Sequence, residues 1–353
     1  MIRPLHPVIT QDLAAITSAP LPWGEFDGAT VLVTGAAGFL PAYMVETLLS
    51  LNLETLRRPV KVVALVRNEV RARERFAAYR DDPNLEIIVQ DVSQPLATSR
   101  SFDFIIHAAS QASPVYYRTD PVGTLSPNVL GTYHLLEHAR QYPLRGFLFF
   151  SSGEVYGIVP PDSGSIAEHM GGWLDPTSLR SCYGESKRMG ETMCVAWAQQ
   201  HGIPTRIARP FHTYGPGMRL DDGRVFADFV RDILAGGPIV LQSDGSARRS
   251  FCYLADATLG FFTVLLRGSN GEAYNVANPD GECSIAELAD RLAAMYAQQG
   301  ITVERRVRAE SAYMPSTILS TKPDITKAMA LGWRLQYDVE RGFERTVDSY
   351  RPI

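Results

Sequence analysis

Residues 29–49 read Ala-Thr-Val-Leu-Val-Thr-Gly-Ala-Ala-Gly-Phe-Leu-Pro-Ala-Tyr-Met-Val-Glu-Thr-Leu-Leu. The apolar run at 31–33 predicts a strand that is buried on both faces of a parallel sheet. From Phe39 onward, apolar residues recur at the spacing of a helix. Between the two, Gly35 allows a tight turn, and Gly38 lets the backbone approach a pyrophosphate at the helix N-terminus. This stretch predicts a dinucleotide site, with a plain strand–turn–helix connection as the alternative.

The turn lacks the third glycine of the usual dinucleotide fingerprint. Pro41 and Ala42 stand near that position, within the first helical turn, where proline is tolerated because its missing N–H would have no partner there. The turn and the start of the helix are expected to hold the cofactor through Gly35, Ala37, Gly38, Phe39 and Leu40.

Strand and helix patterns alternate after this turn, which predicts an α/β fold. We expect a Rossmann-type doubly wound parallel sheet with a smaller C-terminal substrate-binding domain. Further strands are predicted at 61–66, 85–89, 104–109, 147–150, 205–209 and 250–254. Helices are predicted at 10–16, 114–140, 182–201 and 225–235, from 256, from 284 to about 299, and from 338. The expected domains are an extension (1–28), a dinucleotide-binding domain (29–209, with a return segment near 250–270) and a substrate domain (210–353).

The carboxyl ends of the predicted strands supply further candidate cofactor contacts. Arg67 stands where such folds often place an acidic residue for the adenosine ribose, and it could contact a 2′-phosphate, stack on adenine or be solvated. Asp91 could accept from the adenine amino group or cap a turn. The remaining candidates at these ends are Asn68, Val92, Ala108, Ala109, Ser110 and Pro210.

Three residues form a candidate hydride-transfer set. Ser152 follows a predicted strand, and Tyr183 and Lys187 lie four apart on a predicted helix, so that both face the same side. A tyrosine with a pKa near 10 is a poor base at neutral pH. The Lys187 ammonium and the positive nicotinamide of an oxidised cofactor are expected to stabilise its phenolate. The alternative is a core tyrosine beside a surface lysine, because this spacing arises by chance in many helices.

Composition excludes several other functions. The chain has 353 residues, 45% of them hydrophobic and 20% charged, as expected for a globular enzyme. A formal net charge of -4 argues against nucleic-acid binding. No apolar run reaches the roughly 20 residues that span a bilayer. Residues 1–17 contain no apolar signal core, so we expect cytoplasmic residence. Four widely spaced cysteines are expected to be reduced, and no metal site is predicted.

Six segments carry a resemblance to a known family. They are His-Ala-Ala-Ser-Gln-Ala-Ser-Pro (107–114), Ser-Ser-Gly-Glu-Val-Tyr-Gly (151–157), Cys-Tyr-Gly-Glu-Ser-Lys-Arg (182–188), Glu-Thr-Met-Cys (191–194), Asp-Gly-Arg-Val (222–225) and Lys-Pro-Asp-Ile (322–325). From about residue 29 to its end, the chain resembles the extended short-chain dehydrogenase/reductases that act on nucleotide sugars, within the NAD-dependent epimerase/dehydratase family. It is most similar to UDP-glucuronate decarboxylases (UDP-xylose synthases).

The resemblance implies roles for individual residues. Ser152 would be the hydroxyl partner, Tyr183 the base and Lys187 its ribose-bound support. Glu154 would assist at the sixth carbon of the sugar. Substrate contacts are expected from Tyr117, Gly153, Glu154, His212, Arg224 and Arg249. The resemblance also implies a homodimer in which the helices at 114–140 and 182–201 of each subunit form a four-helix bundle.

Three residues depart from the family pattern. Gly153 replaces the serine of the decarboxylases and the aspartate of the 4,6-dehydratases, and His212 replaces a usual asparagine, which leaves the substrate open. Arg67 replaces an acidic residue, which leaves NADP possible beside NAD.

Two classes of function follow. The first is a redox-neutral enzyme that transiently oxidises the 4-hydroxyl of a nucleotide sugar. Decarboxylation of UDP-glucuronate to UDP-xylose or a related pentose leads in this class, with 4-epimerisation or 4,6-dehydration as alternatives. The second is a cofactor-binding regulator without chemistry, which the presence of both Tyr183 and Lys187 disfavours.

Overall fold

The computed structural model describes residues 5–160, 164–221, 223–306 and 322–352. Asp222 of the Asp-Gly-Arg-Val segment and the first four residues of the predicted extension lie outside these ranges. The strands within them are β1 (Thr30–Thr34), β2 (Lys61–Val66), β3 (Leu85–Val89), β4 (Phe104–His107), β5 (Gly146–Phe150), β6 (Thr205–Pro210), β7 (His212–Tyr214), β8 (Ile239–Leu241), β9 (Arg248–Tyr253), β10 (Glu272–Val276), β11 (Glu282–Ser284) and β12 (Val303–Arg305).

Helices flank these strands along the described chain. They are α1 (Pro7–Thr17), α2 (Phe39–Glu54), α3 (Glu69–Arg75), α4 (Pro114–Thr119), α5 (Pro121–Ser126), α6 (Thr132–Gln141), α7 (Cys182–His201), α8 (Val225–Leu234), α9 (Leu254–Arg267), α10 (Ile285–Met295), α11 (Thr326–Ala330) and α12 (Val339–Asp348). None of the helices in the described ranges is long and apolar enough to cross a membrane.

A seven-stranded sheet forms the centre of the molecule. Its order is β10-β6-β5-β4-β1-β2-β3, and every neighbouring pair is parallel. The chain leaves β1 for β2 on one side and later returns to β4 on the other. Ligands of open α/β sheets bind at such a switch point, outside the carboxyl ends of the strands. The predicted doubly wound α/β fold is confirmed.

Alternate residues of β1 face two hydrophobic cores. Val31 and Val33 belong to the core that also contains side chains of α2 and α9. Leu32 belongs to the opposite core, with Leu135 of α6 and Cys194 of α7. Both faces of the central strand are therefore covered by helices, which explains its unbroken apolar sequence.

The segment at 114–140 is not the single helix that the sequence predicted. It divides into α4, α5, a π-helical turn (Pro127–Gly131) and α6. Asp120 separates the first two helices, and its side chain accepts from the Gly123 N–H at 3.0 Å. Pro121 and Pro127 each lack the N–H that a continuous helix would use, which explains the interruptions.

The chain returns to the central sheet after its sixth strand. Helix α9 packs against β5 and β6, and β10 pairs with β6 as the seventh strand. The sequence predicted a return near 250–270 but missed β10. The remaining strands form a three-stranded sheet (β11-β9-β7) and a pair (β12-β8), which lie with α8, α10 and α12 in the C-terminal part of the chain.

Helix α1 is longer than the predicted 10–16 segment, and it is anchored by a buried carboxylate. Asp12 has no exposed surface and accepts hydrogen bonds from the hydroxyls of Tyr43 (2.9 Å) and Tyr253 (2.7 Å). It also forms a salt bridge with Arg345 of α12. The N-terminal helix therefore joins the nucleotide-binding half to the last helix of the chain.

Candidate active site

The glycine turn between β1 and α2 is packed too closely for side chains. Gly35 has a φ of +65°, and a Cβ there would lie 2.7 Å from the Cα of Ala109. A Cβ on Gly38 would lie 3.0 Å from the Gly35 carbonyl oxygen. The first helical bond runs from the Ala42 N–H to the Gly38 carbonyl, so the Phe39 and Leu40 N–H groups precede the helical ladder. These groups make the helix start a cradle for a phosphate.

The floor of this cradle is a buried polar chain. The Thr34 hydroxyl lies 2.8 Å from Nδ1 of His107, whose Nε2 lies 3.1 Å from the Pro127 carbonyl oxygen. Thr34 also accepts from the Ala109 N–H at 3.2 Å. The Ser110 hydroxyl oxygen is buried and has no hydrogen-bond partner in the described part of the chain. The unpaired hydroxyl and the tight glycine turn both fit a polar dinucleotide at this strand edge.

The candidates at the ends of β2 and β3 have local partners. Asn68 caps α3, where its Oδ1 accepts from the Arg71 N–H at 2.9 Å. Asp91 accepts from the Ser93 N–H at 2.8 Å, as in the turn-capping alternative. Arg67 is exposed, whereas the Val92 side chain lies in the core. Pro210 ends β6 and pairs with Val276.

Helix α7 brings the proposed reacting residues together. It begins at Cys182, so Tyr183 and Lys187 lie on its first two turns. Tyr183 shares a hydrogen bond with the side chain of Ser152. The Lys187 ammonium donates to the Phe150 carbonyl oxygen at the end of β5 (2.5 Å) and lies 5.8 Å from the centre of the Tyr183 ring. The strand and helix thus meet as the sequence predicted.

Burial changes the pKa values of Tyr183 and Lys187. Burial raises the pKa of Tyr183 to about 12, although the hydrogen bond with Ser152 opposes this rise. Burial also lowers the pKa of Lys187 to about 7, against the charge of Glu191. In the protein chain alone, desolvation therefore favours the neutral forms of both groups, and the predicted stabilisation of the phenolate by Lys187 and a positive nicotinamide remains a prediction.

A second charged pair lies beside Tyr183. Glu154 accepts from Nη2 of Arg180 at 2.9 Å, and both side chains are largely buried. The Arg180 guanidinium lies 4.9 Å from the centre of the Tyr117 ring. That ring stacks on Tyr183, with centres 5.0 Å apart and planes inclined by 17°. Sequence reasoning missed Arg180, although it stands only two residues before the Cys182–Arg188 motif.

The other substrate candidates lie on the C-terminal side of this cluster. Burial, and then the charges of Arg249 and Arg224, lower the pKa of His212 to about 3, so these three groups are neighbours and His212 is neutral. The buried Nδ1 of His212 has no partner among the described residues. Arg224 also lies close enough to Tyr183 to lower the pKa of its phenol.

Gly153 faces an aromatic ring and does not open a larger cavity. A Cβ at this position would lie 3.0 Å from two ring carbons of Phe211. A side chain at residue 153 would therefore require the Phe211 ring to move by a few tenths of an ångström.

Beneath the site, a buried ion pair connects α7 to the sheet. Glu191 accepts two hydrogen bonds from Arg209 of β6, at 2.8 and 2.6 Å. It also accepts from the hydroxyl of Ser151, which precedes Ser152. Arg209 in turn donates to the Tyr156 hydroxyl at 2.8 Å. This network was not predicted, because its members are separated by 18 to 53 residues in the sequence.

Comparison of the chain with known proteins identifies its family. The model of the NAD dependent epimerase/dehydratase family matches residues 31–277 of the chain. The chain belongs to this family. UDP-glucuronic acid decarboxylase 6 of Arabidopsis thaliana is 34% identical over 324 residues, which cover 91% of this chain and 88% of the relative. UDP-glucuronic acid decarboxylase 1 of Xenopus tropicalis is 33% identical over 329 residues, 93% of this chain and 73% of that protein.

Solved structures of other family members share the fold. A UDP-glucuronic acid 4-epimerase from Bacillus cereus, solved with UDP-glucuronic acid and NAD, superposes with a TM-score of 0.76 at 24% identity and covers 91% of this chain and 98% of its own. A dTDP-glucose 4,6-dehydratase double mutant from Streptomyces venezuelae, solved with NAD, gives a TM-score of 0.75 at 26% identity, with coverages of 91% and 96%. The predicted family and the NAD-dependent enzyme class are confirmed.

Proposed function

We propose that this member of the NAD-dependent epimerase/dehydratase family decarboxylates UDP-glucuronate to UDP-xylose or a related UDP-pentose. The observation that carries the proposal is the placement of a hydroxyl–phenol pair, Ser152 and Tyr183, at the same edge of the parallel sheet as the glycine cradle. A carboxylate, Glu154, lies beside that pair. The resemblance to decarboxylases over most of the chain supports this reaction over the alternatives.

Each reacting side chain has one role in the proposed cycle. Tyr183 takes the proton of the sugar 4-hydroxyl, while Ser152 holds the same oxygen. When bound, NAD would supply the acceptor for the hydride of carbon 4, and its positive ring would favour the Tyr183 phenolate. Lys187 supports the cofactor ribose. The reaction is redox-neutral overall.

Loss of carbon dioxide follows from the ketone at carbon 4. The ketone is β to the carboxylate, so the carbon–carbon bond can break as its electron pair moves into the carbonyl. Ser152 and the Tyr183 hydroxyl stabilise the resulting enolate oxygen. Glu154 keeps the substrate carboxylate turned out of the plane of the sugar ring. Glu154 also helps to return a proton to carbon 5, which gives the 4-keto pentose. Return of the hydride to carbon 4, and of the proton from Tyr183 to the oxygen on that carbon, then gives the UDP-pentose.

The arginines and histidine on the C-terminal side of the site would bind the anionic parts of the substrate. We propose that Arg249 orients the carboxylate, because its planar fork fits two oxygens. Arg224 and the neutral His212 would contact the diphosphate or the sugar. Tyr117 and Gly153 complete the surface around the sugar.

Incubation with UDP-glucuronate tests the reaction. We expect release of carbon dioxide, formation of a UDP-pentose and no net accumulation of reduced nicotinamide. Recovery of the acid as its intact 4-epimer would instead establish an epimerase, a function that the fold shared with the 4-epimerase also permits. Dehydration is disfavoured, because Gly153 supplies no acid to protonate a leaving hydroxyl.

We infer that the cofactor is NAD and not NADP. Hydrogen bonds from Gln111 and Gly123, and then the charge of Arg67, lower the pKa of Asp120. Asp120 therefore places negative charge near Arg67, which disfavours a 2′-phosphate at that position. Release of the cofactor from purified protein and measurement of its mass tests this inference. A mass that includes the additional phosphate would overturn it.

We further propose a homodimer and a cytoplasmic location. More than half of the large exposed hydrophobic side chains in the described ranges lie on two segments, 115–133 and 179–195. They are Val115, Tyr116, Val122, Leu130, Tyr133, Leu179, Met189 and Val195. A second copy of the chain would cover this apolar surface.

The absence of disulfides among the four described cysteines agrees with a reducing compartment.

A further inference from the structure

Arg180 occupies the centre of a stacked and ion-paired cluster in the candidate active site. It lies in the 3₁₀ turn Leu179–Ser181, immediately before α7, and its side chain is 14% exposed. One nitrogen donates to Glu154 at 2.9 Å, and the guanidinium lies over the Tyr117 ring at 4.9 Å. The Tyr117 ring in turn stacks on the ring of Tyr183.

The guanidinium keeps its charge at every physiological pH, so it acts as a fixed positive group next to the reacting phenol. Glu154 raises the pKa of Tyr183, whereas Arg224 and Arg180 lower it. The other groups that face the phenol are Ser152, which shares its hydrogen bond, the stacked Tyr117 and the Lys187 ammonium. Arg180 is the member of this set that is bonded directly to the opposing carboxylate.

The remaining contacts of Arg180 indicate a specific geometry. Its Nε atom is buried and has no hydrogen-bond partner among the described residues. A buried donor without a partner is costly in a folded protein. Its position beside Glu154 and the reacting tyrosine therefore points to a role in the site and not to a purely structural ion pair.

We propose that Arg180 is a positioning residue of the active site, which holds the Glu154 carboxylate beside the sugar and offsets its charge toward the reacting Tyr183. The identity of the sugar reaction rests on the proposed function. The role of Arg180 does not depend on it, because proton removal by Tyr183 precedes decarboxylation, epimerisation and dehydration alike.

The pH dependence of kcat/KM distinguishes this role from a structural one. Tyr183 must lose its proton to act, so its ionisation sets the acid limb of the profile. Arg180→Gln should move that limb to higher pH by about one unit, because a stabilising charge is lost. Glu154→Gln should move it to lower pH. The double variant should return the limb toward the wild-type position.

Two further variants complete the test. Arg180→Lys keeps the positive charge but not the planar contact with Tyr117, so the limb should stay in place while kcat falls by roughly 2–5-fold. Arg118→Gln, an exposed arginine on α4, should match the wild-type protein in rate and profile. Circular dichroism and the amount of bound cofactor establish that each variant is folded. If Arg180→Gln does not fold, Glu154→Gln and Arg180→Lys test the proposal.

Shifts in the same direction for Arg180→Gln and Glu154→Gln, or no shift in either, would overturn the proposal. A shift of the acid limb in Arg180→Lys would also overturn it. So would a rise in KM at unchanged kcat in Arg180→Gln, because Arg180 would then be a simple substrate contact. A wild-type protein that epimerises UDP-glucuronate without releasing carbon dioxide would end the decarboxylase proposal only. The same pH profiles then test Arg180 on epimerisation.

Discussion

Tyr183 must lose its proton in the proposed reaction, although burial raises the pKa of its phenol to about 12. At neutral pH this difference corresponds to roughly 7 kcal/mol. The hydrogen bond with Ser152 and the charges of Arg224 and Arg180 already act against the effect of burial. The positive nicotinamide ring of a bound cofactor would add to them. The phenol is thus suited to ionise only when the oxidised cofactor is in place.

The first prediction is that Tyr183→Phe loses catalysis but keeps the cofactor. Removing the base should lower kcat by about 10²–10⁴-fold. The bound nicotinamide, measured after release from the protein, should be unchanged, because the glycine cradle lies on a different part of the sheet edge. Tyr116→Phe is the matched control, since Tyr116 is 44% exposed. Near-normal turnover in Tyr183→Phe would remove this residue from the mechanism.

The second prediction concerns His107 and acid stability. Burial is the main cause that lowers the pKa of His107 from 6.5 to about 3. Between these values the unfolded chain takes up a proton that the folded protein does not, so the free energy of unfolding falls as pH falls. From pH 6.5 to about pH 4, this contribution amounts to roughly 3 kcal/mol.

Urea unfolding at several pH values tests this prediction. His107→Gln should flatten the pH dependence of the unfolding free energy in that window, whatever its effect on stability at higher pH. Replacement of the exposed His201 by glutamine should leave the slope unchanged. An equally steep slope in His107→Gln would show that other groups cause the acid sensitivity.

Among the elements, helix α7 is held against the sheet more tightly than its sequence indicates. A Cβ on Gly190 would lie only 2.3 Å from the Phe149 ring, so the helix packs directly on β5 at this glycine. The next residue, Glu191, is joined to Arg209 of the neighbouring strand β6. These contacts bring Lys187 within reach of the Phe150 carbonyl oxygen, and thereby set the position of Tyr183.

The third prediction is that Glu191→Gln destabilises this attachment. Arg209 is only 10% exposed and would be left as a buried charge without its partner. We expect the free energy of unfolding to fall by about 3 kcal/mol. The exposed pair Arg73–Glu69 offers a control, because Glu69→Gln should cost at most about 0.5 kcal/mol. Equal decreases in the free energy of unfolding in the two variants would show that the Glu191–Arg209 pair contributes no more than an exposed pair.

At the scale of the whole molecule, the exposed apolar residues on α5 and α7 predict how copies of the chain associate. Val122→Glu and Val195→Glu should each weaken the proposed homodimer by about 100-fold, since a buried charge without a partner is strongly unfavourable. Leu53→Glu is the control, because Leu53 is 80% exposed but lies on α2. Light scattering over a concentration series measures the effect. A monomeric wild-type protein at micromolar concentration would exclude the dimer.

The sequence by itself determined the features that depend on neighbours along the chain. The apolar run at 31–33, the glycine turn and the helical spacing after Phe39 predicted the first strand, the cradle and α2. The four-residue spacing of Tyr183 and Lys187 predicted their common helical face. In each case the interacting groups lie within a turn or two of each other, so local geometry is sufficient.

Only the tertiary structure decided the contacts between distant segments. Asp12 meets Arg345 across 333 positions, and Glu154 meets Arg180 across 26. The effect of burial was also decided by the tertiary structure. Burial raises the pKa of Tyr183 and lowers that of Lys187, whereas attraction between a phenolate and an ammonium would do the opposite. Desolvation depends on everything that packs around a group, and residue spacing contains no information on that packing.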